Sequence, residues 1–227
     1  MNVNTATEAS GSAVQVSAGP VTLEGELQGI DGAAGIVLFA HGSGSSRFSP
    51  RNQSVASALQ KCGFATLLID LLTADEEKID METAELRFNI GLLSERLIGA
   101  ASWLRREPKT RDLKLGYFGA STGAAAALIA AAKLPETAGA VVSRGGRPDL
   151  AGRALIDVRA PTLLIVGGND RPVITLNHAA LDQLRCEKKL EIIPGATHLF
   201  EEPGALEKVA ELTCAWFVKY LKANLGN

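Results

Sequence analysis

The stretch LKLGYFGASTGAAAALIAAAKL, residues 113 to 134, carries most of the information about the fold. Its first part, LKLGYFG (113–119), is a short apolar run of the kind found in strands buried on both faces. Residues 122–133 are rich in alanine, the residue with the highest helix propensity, so a helix is predicted there. GASTG (119–123) joins the two segments. A strand, a sharp turn and a helix are therefore expected in direct succession.

Similar apolar runs recur on both sides of this stretch, and predicted helices separate most of them. This alternation indicates a parallel sheet that is covered by helices. The other apolar runs are GIVLFA (35–40), FATLLID (64–70), GAVVSR (139–144), PTLLIVGG (161–168) and KLEIIPG (189–195), and the helices are predicted at about 50–61, 84–106, 122–133, 172–185 and 204–222.

The N-terminal part follows a different pattern. VQVSAG (14–19) and VTLEGELQ (21–28) alternate apolar and polar residues around Gly19-Pro20, which predicts an antiparallel hairpin with one solvated face. The whole pattern predicts an α/β fold with a mostly parallel central sheet of about eight strands and helices on both faces. Residues 1–12 are expected to be a flexible N-terminus, and residues 13–227 a single domain without a separate lid domain.

Ser121 lies at the centre of GASTG, a Gly-x-Ser-x-Gly pattern. In a nucleophile elbow, a strained strand-to-helix turn with this pattern exposes the serine hydroxyl. Gly119 and Gly123 suit such a turn because side chains there would collide with the neighbouring strand and helix. An ordinary glycine-rich turn has the same letters, so the interpretation depends on two further groups.

Those groups are Asp170, which ends PTLLIVGGND, and His198 in EIIPGATHLF, after the last predicted strand. Serine, aspartate and histidine occur here in the chain order of an α/β-hydrolase triad. All three follow parallel strands, at the sheet edge where open α/β folds build their sites. We therefore predict Ser121 as nucleophile, His198 as general base and Asp170 as the acid that orients it. The alternatives are a solvated turn residue for Asp170 and a surface or capping histidine for His198.

The segment GIVLFAHGSGSSR (35–47) adds a glycine-rich loop after a strand. Acyl transfer needs two backbone donors for the oxyanion, one after the nucleophile and one from this loop. The predicted donors are the N–H groups of Thr122 and Ser43. The same loop, followed by a helix and a strand that ends at Asp70, also imitates a dinucleotide fold. That alternative is disfavoured because Arg47 replaces the last glycine of the fingerprint and Pro50 places the helix too far along the chain.

The motifs HGSGSSR, GASTG, VGGND and GATHLF resemble the dienelactone hydrolase branch of the α/β-hydrolase superfamily. The similarity extends over nearly the whole chain and is greatest to bacterial hydrolase domains that occur alone or fused to phosphoribosyltransferase-like domains; VVSRGGRPDL and LFEEPGAL belong to it. The resemblance implies the fold, the triad positions and hydrolysis of an ester-like bond. Dienelactone hydrolases proper use a cysteine nucleophile where this chain has Ser121, so lactone specificity is not implied.

Three further residues are candidates for substrate binding. Arg47 and Arg144 follow predicted strands at the same edge as the triad, and a guanidinium there could select an acidic substrate. The alternative is that each arginine pairs with a nearby acid or holds its own loop. His41 is the third candidate because it opens the glycine-rich loop.

Composition limits the partners. With 23 basic and 25 acidic residues the net charge is -2, which gives no general reason to bind nucleic acid or an anionic membrane. The three cysteines have neither metal-site nor CxxC spacing, and no secretory signal or membrane span is recognised, so a cytoplasmic location is expected. No metal or cofactor is expected, and the sequence does not determine whether the chain forms a homodimer.

The sequence leaves more than one function class open. The favoured class is a serine hydrolase that cleaves a small carboxylic ester, lactone or thioester. The alternatives are a non-catalytic ligand-binding protein of the same fold and an acyltransferase, because a fold does not fix a reaction.

Overall fold

The structure, a computed structural model, describes residues 11–222. Its centre is an eight-stranded sheet with the strand order β1-β2-β4-β3-β5-β6-β7-β8. The β1–β2 and β2–β4 pairs are antiparallel and every other pair is parallel. The strands are β1 Ser12–Ala18, β2 Val21–Gln28, β3 Ile36–Ala40, β4 Ala65–Ile69, β5 Leu115–Ala120, β6 Ala138–Arg144, β7 Thr162–Gly167 and β8 Lys188–Ile193.

Helices cover both faces of the sheet and produce two apolar cores. One core lies under α3, α4 and part of α5, and the other lies under α1 and α6. The helices are α1 Pro50–Lys61, α2 Ala74–Thr83, α3 Ile90–Arg106, α4 Thr122–Lys133, α5 Arg171–Gln183 and α6 Ala205–Leu221, with 3₁₀ segments at Leu86–Phe88 and Pro148–Asp157.

The predicted fold class is confirmed, including the N-terminal hairpin and the mostly parallel sheet. The helix that was predicted over 84–106 begins later, at Ile90, where Asn89 accepts a hydrogen bond from the N–H of Leu92 and so caps it. The preceding chain breaks at Ala84, whose φ of 55° is left-handed. The predicted flexible segment 1–12 lies outside the described residues except for its last two, and Ser12 already belongs to β1.

Helix α2 has no counterpart among the helices predicted from the sequence. Its residues, ADEEKIDMET, have no apolar stripe, and only Asp80 among them is buried. The helix is held instead by a capping box between Thr73 and Glu76 and by ion pairs of Asp80 with Arg87 and of Glu76 with Arg96. Hydrophobic periodicity does not reveal a helix that is stabilised in this way.

Cys62, which ends α1, forms a disulfide with Cys214 on α6. Cysteine spacing did not indicate this pair, because 152 residues separate the two in sequence. Disulfides persist mainly in oxidising compartments, so the cysteines do not support the cytoplasmic location that we expected, and that location stays a prediction. Within residues 11–222, no helix combines the length and apolar character that a bilayer crossing requires.

Candidate active site

Ser121 occupies a strained turn between β5, which ends at Ala120, and α4, which begins at Thr122. Its φ of 50° and ψ of −121° are unusual for a residue with a side chain. The flanking glycines make the turn possible: a Cβ on Gly119 would collide with the main chain of Ala124, and a Cβ on Gly123 would collide with carbonyl oxygens at the end of β3. The local geometry is that of a strand-turn-helix elbow that presents the serine.

Asp170 and His198 lie beyond the carboxyl ends of β7 and β8 and are hydrogen-bonded to each other. The distance from His198 Nδ1 to Asp170 Oδ2 is 2.6 Å. The side chain of His198 is 40% exposed and that of Asp170 is 12% exposed. A carboxylate oxygen accepts from Nδ1–H, and in a neutral imidazole this hydrogen bond leaves the lone pair on Nε2. The carboxylate therefore fixes the tautomer that a general base needs.

The end of β6 connects Ser121 to the histidine loop. The carbonyl of Arg144 accepts a hydrogen bond from the N–H of Ser121 at 3.2 Å. The next residue, Gly145, has a φ of 52° and lies so close to His198 that an added Cβ would be 3.1 Å from its carbonyl oxygen and 3.6 Å from ring atom Cε1. The structure thus brings the three predicted triad residues to the same edge of the sheet.

Ser43 and Thr122, the predicted oxyanion donors, lie beside Ser121 and contact each other. The Ser43 N–H donates to Thr122 Oγ1 at 2.9 Å, and Thr122 is only 4% exposed. Gly42 packs against Ser121, because a Cβ on Gly42 would be 3.0 Å from Ser121 Cβ. The two loops that flank the serine are therefore joined directly.

His41, one of the candidate substrate-binding residues, uses both ring nitrogens inside the protein. Its Nε2 accepts the N–H of Leu71 at 3.0 Å, and its Nδ1 donates to the carbonyl of Gly42 at 2.9 Å. Burial lowers the pKa of His41, although the Gly42 carbonyl and the charges of Asp70 and Glu77 oppose this effect. The ring is neutral and anchors the start of the glycine-rich loop.

The two candidate arginines have different surroundings. Arg47 is held by Asp70, which accepts its backbone N–H at 2.7 Å and pairs with its guanidinium. Arg144 is 8% exposed, and its guanidinium donates one long hydrogen bond, 3.4 Å, to Asn52 Oδ1 on α1. Among residues 11–222 no carboxylate lies within 4.0 Å of the Arg144 guanidinium, and burial followed by the charge of Arg51 lowers its pKa to about 10. Asp70 therefore neutralises the charge of Arg47, whereas no carboxylate within residues 11–222 neutralises the charge of Arg144.

A cavity of about 300 Å³ adjoins the glycine-rich loop; Gly42, which packs against the elbow, belongs to its lining, but none of the three predicted triad residues does. Its walls include His41 and Gly42 on one side, and Met81 of α2 and Arg87 of the 3₁₀ segment on the other. Neither Met81 nor Arg87 was a sequence-based candidate: α2, which carries Met81, was not predicted, and Arg87 falls inside the helix predicted over 84–106. In the part of the chain that the structure describes, no three His, Cys, Asp or Glu side chains are grouped to hold a metal ion.

The chain is similar to several known proteins. The dienelactone hydrolase family model matches residues 27–223. The crystal structure of a dienelactone hydrolase from Anabaena variabilis is 64% identical, with a TM-score of 0.93 over 94% of this chain and 99% of that one. Est1E from Butyrivibrio proteoclasticus is 16% identical, with a TM-score of 0.75 over 92% of this chain and 98% of that one, and shares the fold.

Curated relatives from two Mycobacterium tuberculosis strains, each described as a putative phosphoribosyl transferase, are 56% identical over 208 residues. The match includes 92% of this chain but 46% of those proteins, so the chain spans about half the length of the curated relatives it matches. The family match over residues 27–223 and the 64% identity to the Anabaena variabilis protein show that the chain belongs to the dienelactone hydrolase family.

Proposed function

We propose that this protein is a serine hydrolase that cleaves a small carboxylic ester, lactone or thioester through an acyl-enzyme intermediate. The observation that carries the proposal is the 2.6 Å hydrogen bond between His198 and Asp170 at the sheet edge that also holds the strained turn of Ser121. A serine hydroxyl is a poor nucleophile without a base, and an oriented imidazole supplies that base.

In the proposed reaction, Ser121 Oγ attacks the carbonyl carbon of the substrate while His198 Nε2 takes the hydroxyl proton. Asp170 stabilises the imidazolium and does not itself become protonated. The carbonyl oxygen becomes an oxyanion that is stabilised beside Ser43 and Thr122. His198 then gives its proton to the leaving alcohol or thiol, and the same residues activate a water molecule that hydrolyses the acyl-serine.

The substrate is proposed as a class rather than as one compound. The cavity of about 300 Å³ shares Gly42 with the elbow, and a volume of this size suits a small substrate group better than a long acyl chain or a polymer. A dienelactone substrate is not carried over, because dienelactone hydrolases proper use cysteine at the nucleophile position, where this chain has Ser121. The transferase name of the longer relatives is not carried over either, because only 46% of each is matched.

The first experiment is active-site labelling with a fluorophosphonate, combined with turnover of a small aryl ester. We expect the label on Ser121, and we expect Ser121→Ala to lower turnover by roughly four to six orders of magnitude, because triad members act as a unit. Ser102→Ala is the matched control, since that serine lies on α3 and donates to the carbonyl of Ile98 at 2.9 Å. More than a tenth of wild-type activity in Ser121→Ala would overturn the proposal.

A second comparison tests the acid. Asp170→Asn should lower turnover by about 10⁴-fold, because it favours the wrong tautomer of His198. Asp70→Asn is the control: Asp70 also ends a strand but binds Arg47. A larger loss in Asp70→Asn would contradict the assignment. Ester or amide products formed from an added alcohol or amine would instead indicate acyl transfer, and a stable protein with neither label nor turnover would indicate a binding function.

A further inference from the structure

The hydrogen bond between Ser43 and Thr122 affects how an oxyanion can be bound. The Ser43 N–H has a single proton, and that proton already points at Thr122 Oγ1, 2.9 Å away. An oxyanion that needs this N–H must therefore displace Thr122 Oγ1 or bind through it. The Thr122 N–H has no such conflict, because it belongs to the first turn of α4, where N–H groups have no intrahelical acceptor.

The hydroxyl proton of Thr122 is not used by the described residues. A threonine hydroxyl can accept two hydrogen bonds and donate one, and Thr122 Oγ1 accepts from Ser43 without donating to any described group. Threonines inside a helix usually donate to the carbonyl four residues earlier, as Thr213 does to Val209 at 2.7 Å. Thr122 cannot do so, because it is the first residue of α4.

Displacement of the hydroxyl is unfavourable. Thr122 is only 4% exposed, so rotation about χ1 would exchange the methyl and the hydroxyl within a closely packed site. A buried hydroxyl that loses its partner costs about 1–3 kcal/mol. If the hydroxyl stays in place, its proton remains available as a hydrogen-bond donor on the residue that directly follows Ser121.

Building on the proposed function, we infer that the Thr122 hydroxyl is a catalytic hydrogen-bond donor to the oxyanion, with the Ser43 N–H acting through it. The chain of donors runs from Ser43 N–H to Thr122 Oγ1 and from the Thr122 hydroxyl to the oxyanion. The hydroxyl proton stays bonded to Thr122 Oγ1 throughout, so this chain of hydrogen bonds transfers no proton. Each hydrogen bond polarises the next, and a donor to an anion gives the stronger kind of hydrogen bond.

The test compares Thr122→Val, which replaces the hydroxyl by a methyl group of similar size, with Thr122→Ser, which keeps the hydroxyl. The kinetics use a small aryl ester. The affinities use an aryl boronic acid, which forms a tetrahedral adduct with the serine, and the product carboxylic acid, which does not. Thr213→Val is the matched control, because it removes a buried threonine hydroxyl on α6.

We expect Thr122→Val to lower kcat by roughly 100-fold or more with little change in KM, since loss of one oxyanion donor commonly costs 10²–10³-fold. Boronic acid affinity should fall by a similar factor and product acid affinity should not. Thr122→Ser should recover most of the kcat and boronic acid affinity that Thr122→Val loses, and Thr213→Val should stay within about threefold of wild type, as expected when no oxyanion donor is lost.

Two results would overturn the inference. Wild-type or higher kcat in Thr122→Val would mean that the hydroxyl only covers the Ser43 N–H. Equal weakening of the boronic acid and the product acid would mean that the substitution only displaces the glycine-rich loop. Ser121→Ala separates this inference from the proposed function: an active Ser121→Ala rejects the serine mechanism itself, whereas an inactive Ser121→Ala with fully active Thr122→Val rejects the role of the hydroxyl alone.

Discussion

At the scale of single residues, the polar side chains that follow the strands have two roles. Some belong to the candidate active site, and others hold loops in place. Asp70 and His41 belong to the second group. Asp70 binds the backbone and the guanidinium of Arg47, and both nitrogens of His41 bind main-chain groups. Asp170, by contrast, binds only the catalytic candidate His198 among the hydrogen bonds of its side chain within residues 11–222.

The neutral state of His41 leads to a prediction about stability and pH. In the unfolded chain His41 takes up a proton near its ordinary pKa of 6.5, whereas burial lowers that pKa in the folded protein. Below pH 6.5 the unfolded state therefore binds more protons, and the free energy of unfolding falls as the pH falls, by at most about 1.4 kcal/mol per pH unit for one proton. His41→Gln should reduce this dependence, because glutamine keeps an acceptor for the Leu71 N–H without titrating.

Urea unfolding at pH 7.5 and pH 5 measures the effect in wild type and His41→Gln. His178→Gln is the matched control, since His178 is exposed on α5. His198 is present in all three proteins and therefore contributes equally to each of them. An equal loss of stability between the two pH values in wild type and His41→Gln would show that burial of His41 does not cause the dependence.

At the scale of elements, the buried strands were predictable from sequence and α2 was not. Every predicted strand is present, because residues such as Leu38 and Leu164 belong to short apolar runs that no amphipathic helix would have. Helix α2 is stabilised by caps and ion pairs, for which single-sequence patterns carry little signal. The start of α3 was predicted too early, because Leu86 lies four residues before Ile90 and fits the apolar spacing of the helix. Leu86–Phe88 instead form a separate 3₁₀ segment before α3 begins.

The candidate site also combines features that were predictable from sequence with features that were not. The positions of Ser121, Asp170 and His198 follow from strand ends, so a sequence that reveals the strands also reveals these positions. Long-range hydrogen bonds are different. The bond between Ser43 and Thr122 joins residues 79 apart in sequence, and the isolation of Arg144 depends on which acids fail to reach it. Neither is encoded in a local pattern.

The contact of α4 with the end of β3 gives a prediction about packing. A Cβ on Gly123 would overlap the carbonyl oxygens of Ala40 and His41, which are backbone atoms and cannot move independently. Gly123→Ala should therefore destabilise the protein by about 1–3 kcal/mol, the usual cost of overpacking, and should also lower activity by shifting Ser121. Both effects can be measured, the first by urea unfolding and the second by ester turnover.

Gly91→Ala is the control for this substitution. Gly91 lies in the first turn of α3, where an added Cβ would make only an ordinary contact, 3.4 Å from Asn89 Oδ1. Alanine is the better helix former, so Gly91→Ala should leave stability unchanged or raise it by roughly 0.5–1 kcal/mol. If Gly123→Ala were as stable and as active as Gly91→Ala, the close approach of α4 to β3 would not be needed.

At the scale of the whole molecule, the sheet separates two cores that are stabilised differently. The face under α3 and α4 has an apolar core, with Leu97 and Leu128 among its fully buried residues. The face under α1 and α6 carries in addition the Cys62–Cys214 disulfide, with a Cα–Cα distance of 6.5 Å. The disulfide lies on a helix-covered face rather than at the strand ends where the candidate site lies, so it should affect stability without affecting chemistry.

The last prediction follows from this arrangement. The disulfide closes a loop of 152 residues, and a cross-link over so long a loop restricts the unfolded chain strongly. Removing it in Cys62→Ser/Cys214→Ser should lower the free energy of unfolding by about 2–5 kcal/mol and leave ester turnover at 25 °C within about twofold. Dithiothreitol should lower the Tm of wild type but not that of the double variant. Thiol titration of denatured, unreduced protein should find one free thiol, Cys186, and a count of three thiols would contradict the cross-link.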